Sequence, residues 1–359
     1  MQHIFGSLDD NEGASRLTGI LIVGGIFTLV FVVLVFAVVF LSKREKEKFK
    51  EEKVVKTIIN LTVAVDSQRL TDVLFDTALK KNYFTDEFLH LEVVRKTSTR
   101  EALDSLAEGE AQVALVDVAP LLEEKGYHLI APIAHMLLWG VTKNNQVLGE
   151  AKDLGSLNPY PLQSNVEEGG VYHTLLVTLA RQENVTIQNE TIDTKEFFRL
   201  KQPPEILLTS EPGISQALKY DGRVCFRLAP AALGFSSSPP VRSLVAKESY
   251  LQSIEGGEAA LRLRTALKKA SHLIYTNPTA VLNDVLSNIY FGQYDLEVLA
   301  EVIQRLVGEK VIPQEMEVSP TVFTQLVRAL LEAKDKDSVR AEGLARQILW
   351  KEKVTTAGQ

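Results

Sequence analysis

Cysteine is almost missing from this chain: Cys225 is the only one in 359 residues. A lone thiol excludes an intramolecular disulfide framework and a cysteine-rich metal site, and it says nothing about redox compartment. The six histidines (His3, His90, His128, His135, His173 and His272) contain no i, i+4 pair and no H-E-x-x-H spacing, so a zinc centre of that kind has no support. His135 beside Met136 in an apolar run reads as a core histidine. The chain also lacks a G-x-S-x-G elbow, a P-loop and a G-x-G-x-x-G fingerprint. Thirty-nine Lys and Arg against 46 Asp and Glu give a net charge of −7, without the basic stripe that nucleic acid demands. No enzyme activity, cofactor or nucleic-acid partner is expected.

One long hydrophobic run is present. Leu17 to Leu41 holds 25 consecutive uncharged residues, and about 20 apolar residues span a hydrocarbon core. The run is too long for a cleaved signal peptide, its preceding segment is acidic (Asp9, Asp10, Glu12), and no small-x-small site or lipobox cysteine follows. A retained transmembrane helix is expected over 17–41, after a short tail (1–16) and before a charged helical stalk (42–57). The stalk carries Lys43, Arg44, Lys46, Lys48, Lys50, Lys53 and Lys56. By the positive-inside bias it belongs in the cytoplasm, and its lysines could rest on anionic headgroups of the lipid bilayer.

The remaining 300 or so residues suffice for two lobes. Short apolar runs alternate with amphipathic helices, which predicts a mainly parallel α/β arrangement. Strands are expected at 61–65, 91–94 and 113–116, with a fourth inside 129–141; helices are expected at 70–81 and 99–107, the latter capped by Thr99 and closed by Gly109. After a polar, turn-rich stretch at 142–153, a second set follows: strands near 160–163, 205–208 and 224–228, with helices at 170–181 and 213–219. The run Gly234 to Pro240 reads as a linker into one more strand at 241–246, and from Ala259 onward the pattern is helical. Residues 58–142 with 241–340 are expected to form the first lobe, 143–240 the second, and 341–359 a C-terminal helix and tail. Three triplets, beginning at Asn60, Asn184 and Asn189, fit the N-glycosylation pattern but are short enough to arise by chance.

Four segments carry a resemblance. They are Arg100 to Pro120, with its helix, Gly-acidic turn and strand ending at Asp117; Gly140 to Leu154; Thr209-Ser-Glu-Pro212 followed by Ile214 to Leu218; and Ala266 to Pro278, which ends in Asn-Pro. In this order and spacing, residues 58–335 resemble the type 2 periplasmic substrate-binding proteins of ABC importers, in the branch that binds sulfonates, taurine, nitrate and thiamine precursors. Beyond the expected anchor, the resemblance implies a two-lobed clamshell with a helical C-terminal section, a small-molecule ligand, and a membrane protein partner such as an ABC permease. The chain departs from the family at Asp66-Ser-Gln-Arg69, at Gly155 to Pro161 and at Asn165 to Gly170, which are cleft positions.

Ligands of open α/β sheets lie beyond the carboxyl ends of the strands. The cleft candidates are therefore Asp66, Ser67, Gln68 and Asp117 from the first lobe, Trp139 near the crossing, and Ser164, Asn165, Ser210 and Glu211 from the second. Ser164 and Asn165 are expected to supply helix-N-terminus donors, and Trp139 either stacks on a cationic ligand or fills the interlobe core. A cleft rich in acids suits a neutral or cationic molecule better than an anion. Three functions remain open: an importer-type receptor outside the inner membrane, a sensor coupled to a signalling protein, and a structural subunit of a membrane complex whose cleft has degenerated. A receptor fold belongs outside, whereas the stalk charges favour the inside.

Overall fold

The computed structural model describes residues 57–66, 69–144, 147, 149–190, 194–199, 206–290 and 292–351. The expected anchor at 17–41, its tail and nearly all of the stalk lie outside the described residues, as do Ser67 and Gln68. Among the described residues no helix is long and apolar enough to cross a membrane.

Two five-stranded sheets organise the unit from Ile58 onward. The first contains β1 (Ile59–Val65), β2 (Leu89–Arg95), β3 (Val113–Asp117), β4 (Tyr127–His135) and, from far along the chain, the strand Pro240–Lys247. Between β1 and β2 lies helix α1 (Val73–Lys80), and between β2 and β3 lies α2 (Thr99–Glu108). The second sheet contains β5 (Trp139–Thr142), β6 (Leu162–Ser164), β7 (Ile187–Asn189), β8 (Ile206–Thr209) and β9 (Arg223–Arg227), so that Pro240–Lys247 is β10. Its helices are α3 (Val171–Glu183), α4 (Thr194–Arg199) and α5 (Gly213–Lys219). The strand orders are β2-β1-β3-β10-β4 and β7-β6-β8-β5-β9.

Each sheet is mainly parallel, as expected, with four strands running one way and one against them. Strands β1, β2 and β3 run parallel, as do β6, β7 and β8; β10 and β5 pair antiparallel with their neighbours. The antiparallel strands are those reached by crossing between sheets, and a chain that enters from the other lobe has no crossover helix to reverse its direction. The central strands are buried on both faces, as the unbroken apolar runs of β1 and β3 require: Val63, Ala64, Val65, Val113 and Ala114 are inaccessible to solvent.

Three boundaries differ from the sequence expectation. The apolar stretch 129–141 is two strands in different sheets, because β4 ends at His135 and β5 begins at Trp139. The crossing therefore occupies 136–138, ahead of the expected limit at 142, and apolar periodicity runs through it because Met136, Leu137 and Leu138 are themselves buried. The N-cap of α2 is Ser98, whose hydroxyl accepts from the Glu101 N–H at 3.2 Å. Thr99 is instead the first helical residue, and its hydroxyl donates to Asp66.

The two crossings run side by side. Leu228 N–H donates to the Leu138 carbonyl (3.0 Å), and Met136 N–H donates to the Pro239 carbonyl (2.9 Å). Behind them lies the C-terminal helical section: α6 (Ile254–Thr276), α7 (Leu296–Gly308), α8 (Pro320–Ala333) and α9 (Ala341–Ile348). In α6 the buried positions Ala259, Leu263, Ala266, Ala270 and Ile274 form one apolar stripe against the first sheet's helices. Helix α7, however, packs on α5, and α8 packs on α3, so residues expected to belong wholly to the first lobe bridge to the second. An amphipathic pattern identifies a buried face without identifying the surface that covers it. Helix α9 returns to the first lobe, and beyond it Trp350 N–H donates to the Leu129 carbonyl of β4 at 3.3 Å.

Candidate functional site: an acidic interlobe cavity

The parallel strands of both sheets end toward one another. At the end of β1 lies Asp66, at the end of β3 Asp117, after β6 Asn165, and after β8 Ser210 and Glu211. Between them is a cavity of about 260 Å³. Of the sequence candidates, Asp117, Asn165, Ser210 and Glu211 line it together; Asp66, Trp139 and Ser164 do not. Arg69, Glu167, Tyr172, Arg242, Tyr290 and Tyr294 complete much of the wall.

Asp66 is buried in an ion-pair network. The Arg242 guanidinium on β10 is 2% exposed and donates through Nη1 to both Asp66 oxygens (2.6 and 2.8 Å). It also donates through Nε and Nη2 to Asp72 (3.0 and 2.8 Å). Burial disfavours the charge on Arg242, but Asp72 and Asp66 more than offset this and hold its pKa above the ordinary value. A charge removed from water in this way survives only when paired and fully hydrogen-bonded.

Next to this network stand Asp76 and Tyr290. The Tyr290 hydroxyl lies 2.7 Å from the Arg69 carbonyl oxygen and 2.8 Å from Asp76 Oδ2. One hydroxyl proton cannot serve both acceptors. Burial, with the nearby Asp72 charge, pushes the Asp76 carboxyl up to about 7, so a protonated Asp76 can donate to Tyr290 while Tyr290 donates to the carbonyl.

Asp117 spans the two lobes. Its Oδ1 accepts from Ala119 N–H at 2.9 Å, and both carboxylate oxygens lie 3.3 Å from the Val171 N–H, the first of α3. The residue before Val171 is Gly170, a cap position without a side chain to accept from the helix, and a Cβ placed there would sit 3.2 Å from Asp117 Oδ2. The missing cap is thus supplied by a carboxylate from the other lobe. Burial raises the Asp117 carboxyl to about 6, against the pull of the Ala119 N–H, Arg69, Arg242 and the Val171 N–H, so it is ionised at neutral pH.

Other expectations are corrected by position. Helix α3 begins at Val171, so Ser164 is not at a helix N-terminus: it ends β6, with its hydroxyl 2.6 Å from the Asn189 amide. The intervening loop turns at Gly169, whose φ of +78° is a left-handed conformation natural to glycine. Asn165 donates through its amide to the Thr194 hydroxyl at 3.1 Å. Trp139 is buried, with the Arg227 guanidinium 4.1 Å and the Arg305 guanidinium 4.9 Å from its ring centroid, so the indole serves internal cations. Glu211, also buried, accepts from Arg305 Nε at 2.6 Å and from the Ser215 N–H and hydroxyl; burial raises its pKa, and Arg305 opposes that.

Two further links complete the walls. Arg69 donates to Glu167 across the opening. Tyr172 reaches the crossing, where its hydroxyl accepts from Leu137 N–H at 2.9 Å. Arg242 had one signal in the sequence, a charged residue inside the apolar strand Val241 to Ala246. Glu167 lies in the Asn165 to Gly170 run that the resemblance places at the cleft, and the tyrosines had no signal.

No family model matches the chain, and no curated protein matches it in sequence. Solved structures share its fold. The periplasmic nitrate-binding protein NrtA from Synechocystis PCC 6803 superposes with a TM-score of 0.60 at 11% identity, over 81% of this chain and 86% of that one. The periplasmic aliphatic sulphonate-binding protein SsuA from Escherichia coli gives 0.59 at 14%, over 84% and 94%. A protein from Bordetella bronchiseptica RB50 gives 0.62 at 15%, over 82% and 95%. The chain therefore has the two-sheet α/β fold of periplasmic binding proteins.

Proposed function

We propose, from this fold, that the chain is a membrane-tethered solute-binding protein whose lobes close on a small, neutral or cationic organic molecule. The observation that carries the reading is the cavity of about 260 Å³ at the facing strand ends, walled by tyrosines, by the carboxylates Asp117, Glu167 and Glu211, and by Arg69 and Arg242, whose charges are met within the protein by Glu167, Asp66 and Asp72. Ligand pockets commonly run from about 300 Å³ upward, so the space suits a compact solute. Tyrosine rings offer apolar faces and hydroxyls to an uncharged or cationic guest. Residues 17–41 would hold the protein in the bilayer of the inner membrane, with the binding unit on the extracytoplasmic side beside an ABC permease or a sensor partner.

The detergent-solubilised full chain is tested by thermal unfolding against a broad panel of small neutral and cationic metabolites. A true ligand gives saturable stabilisation, about 2.7 kcal/mol at one hundred times its Kd. A panel that produces no shift removes the receptor reading.

A second reading rests on a separate observation: the lobes are already joined by Arg69–Glu167 and by Asp117 on the α3 N-terminus. In that reading the clamshell is held shut by its own side chains and serves as a structural subunit of a membrane complex. It predicts co-purification in stable stoichiometry with other membrane proteins, with nothing in the cavity.

A further inference from the structure

The α3 N-terminus is where a cleft of this shape would receive the negative group of a ligand, because the first N–H groups of a helix of 13 residues carry partial positive charge toward the cavity. In this chain that place is filled. We propose that Asp117 is the specificity-determining residue of the cleft, a built-in anion that occupies the α3 N-terminus, bars anionic ligands and draws the lobes together.

Four observations support this. The Asp117 side chain belongs to one lobe and the Val171 N–H that it meets to the other, 54 residues later. The carboxylate is buried and lies on the cavity wall. Gly170 provides no cap of its own, and a side chain there would press on Asp117 Oδ2. Finally, the charged groups facing the carboxylate are Arg69 from the β1 loop and Arg242 from β10, which favour an anion in this position. The space therefore suits a carboxylate, and the protein supplies one. A ligand with its own carboxylate or sulfonate would have to displace Asp117 and put two negative groups at one helix end. The inference rests on the cleft reading for its biological meaning, but its test does not depend on finding the ligand.

The experiment is chemical rescue. The full chain with Asp117→Ala is followed by thermal unfolding at pH 7.5 in sodium formate, sodium acetate, sodium chloride and neutral formamide, with the unaltered chain in the same series. The variant should unfold several degrees lower and regain most of that loss, saturably, in formate or acetate at millimolar to tens of millimolar concentration. Chloride and formamide should not restore it, and the unaltered chain should show no anion-specific shift. Recovery that is equal in chloride, or equal in the unaltered chain, overturns the proposal. Should Asp117→Ala fail to fold even with formate, the neutral isostere Asp117→Asn decides the matter through small-angle scattering. A larger radius of gyration than the unaltered chain supports the carboxylate as the interlobe link, and an unchanged one overturns it. Rescue can succeed while the metabolite panel fails, so the two readings fall separately.

Discussion

Arg242, Asp66, Asp72, Asp76 and Tyr290 place one guanidinium and three carboxyls in or beside a single buried network. Arg242 pairs with Asp66 and Asp72, Arg69 lies 3.8 Å from Asp66, and Asp76 is left without a paired cation among the described residues: burial, with the Asp72 charge, pushes its carboxyl up to about 7 from 3.8, against the pull of Tyr290 and Arg95. Between those values the folded chain binds a proton that the unfolded chain has released. The contribution of Asp76 to stability is thus fully present below pH 3.8 and is lost as the pH rises through 7. Asp76→Asn, neutral at every pH, should raise the melting temperature at pH 8 by roughly 2–6 °C more than it does at pH 5, where only the first part of the contribution has been lost. Equal effects at both pH values, measured by calorimetry, would show that Asp76 is already charged in the fold. Almost none of this was legible in the sequence. Asp72 and Asp76 fall inside the helix expected at 70–81, and the guanidinium that pairs with Asp72 lies 170 residues beyond it. Linear spacing carries no information about a contact at that separation.

At the scale of elements, strand existence was readable and strand allegiance was not. Helix α5 and the strands β1, β3, β8 and β10 fall within a residue or two of expectation because their apolar runs are bounded by polar or glycine-containing turns. The three-residue β7 was not anticipated at all: Ile187, Gln188 and Asn189 are half-buried or exposed and show no alternation. Strand β5 was absorbed into β4. The one sequence mark of its separate place is Gly140, where a Cβ would lie 3.0 Å from the Phe226 Cβ and 3.3 Å from a Leu208 methyl, atoms of the two neighbouring strands. Glycine lets β9 and β8 close on β5 from either side. Gly140→Ala should overpack this face and cost about 1–3 kcal/mol. Hydrogen exchange should show protection falling in the second sheet while β1 and β3 stay protected; a uniform loss across both sheets would mean that the sheets do not unfold separately.

For the whole molecule, the two-lobed plan followed from the order of alternating elements, and the cavity followed from the rule that ligands gather at carboxyl strand ends. Four of the nine candidates line that cavity. Three others do not, for identifiable reasons: Asp66 is claimed by Arg242, Trp139 by two arginines, and Ser164 by a strand that ends before the helix begins. Ser67 and Gln68 lie outside the described residues. Sidedness belongs to this scale too, since the charges flanking the expected anchor and the proposed receptor role point in opposite directions. Added protease should digest the unit from Ile58 onward in spheroplasts if it faces outward. Survival there, with digestion only after the membrane is opened, would place it in the cytoplasm and end the importer reading.

The route of the C-terminal helices has a mechanical consequence. Helices α7 and α8 lean on α5 and α3 of the second lobe, Arg305 grips Glu211, and Ser236 in the second crossing donates from its N–H to the Gln325 side chain on α8 at 3.1 Å, while α9 is fastened to the first lobe. A jaw with only two connecting ribbons can twist as well as swing. Here the C-terminal helices are tied to both jaws, a third connection that would resist twisting in any opening movement. Any opening of the lobes would then be a short, guided swing that also works the joint at 334–340 between α8 and α9.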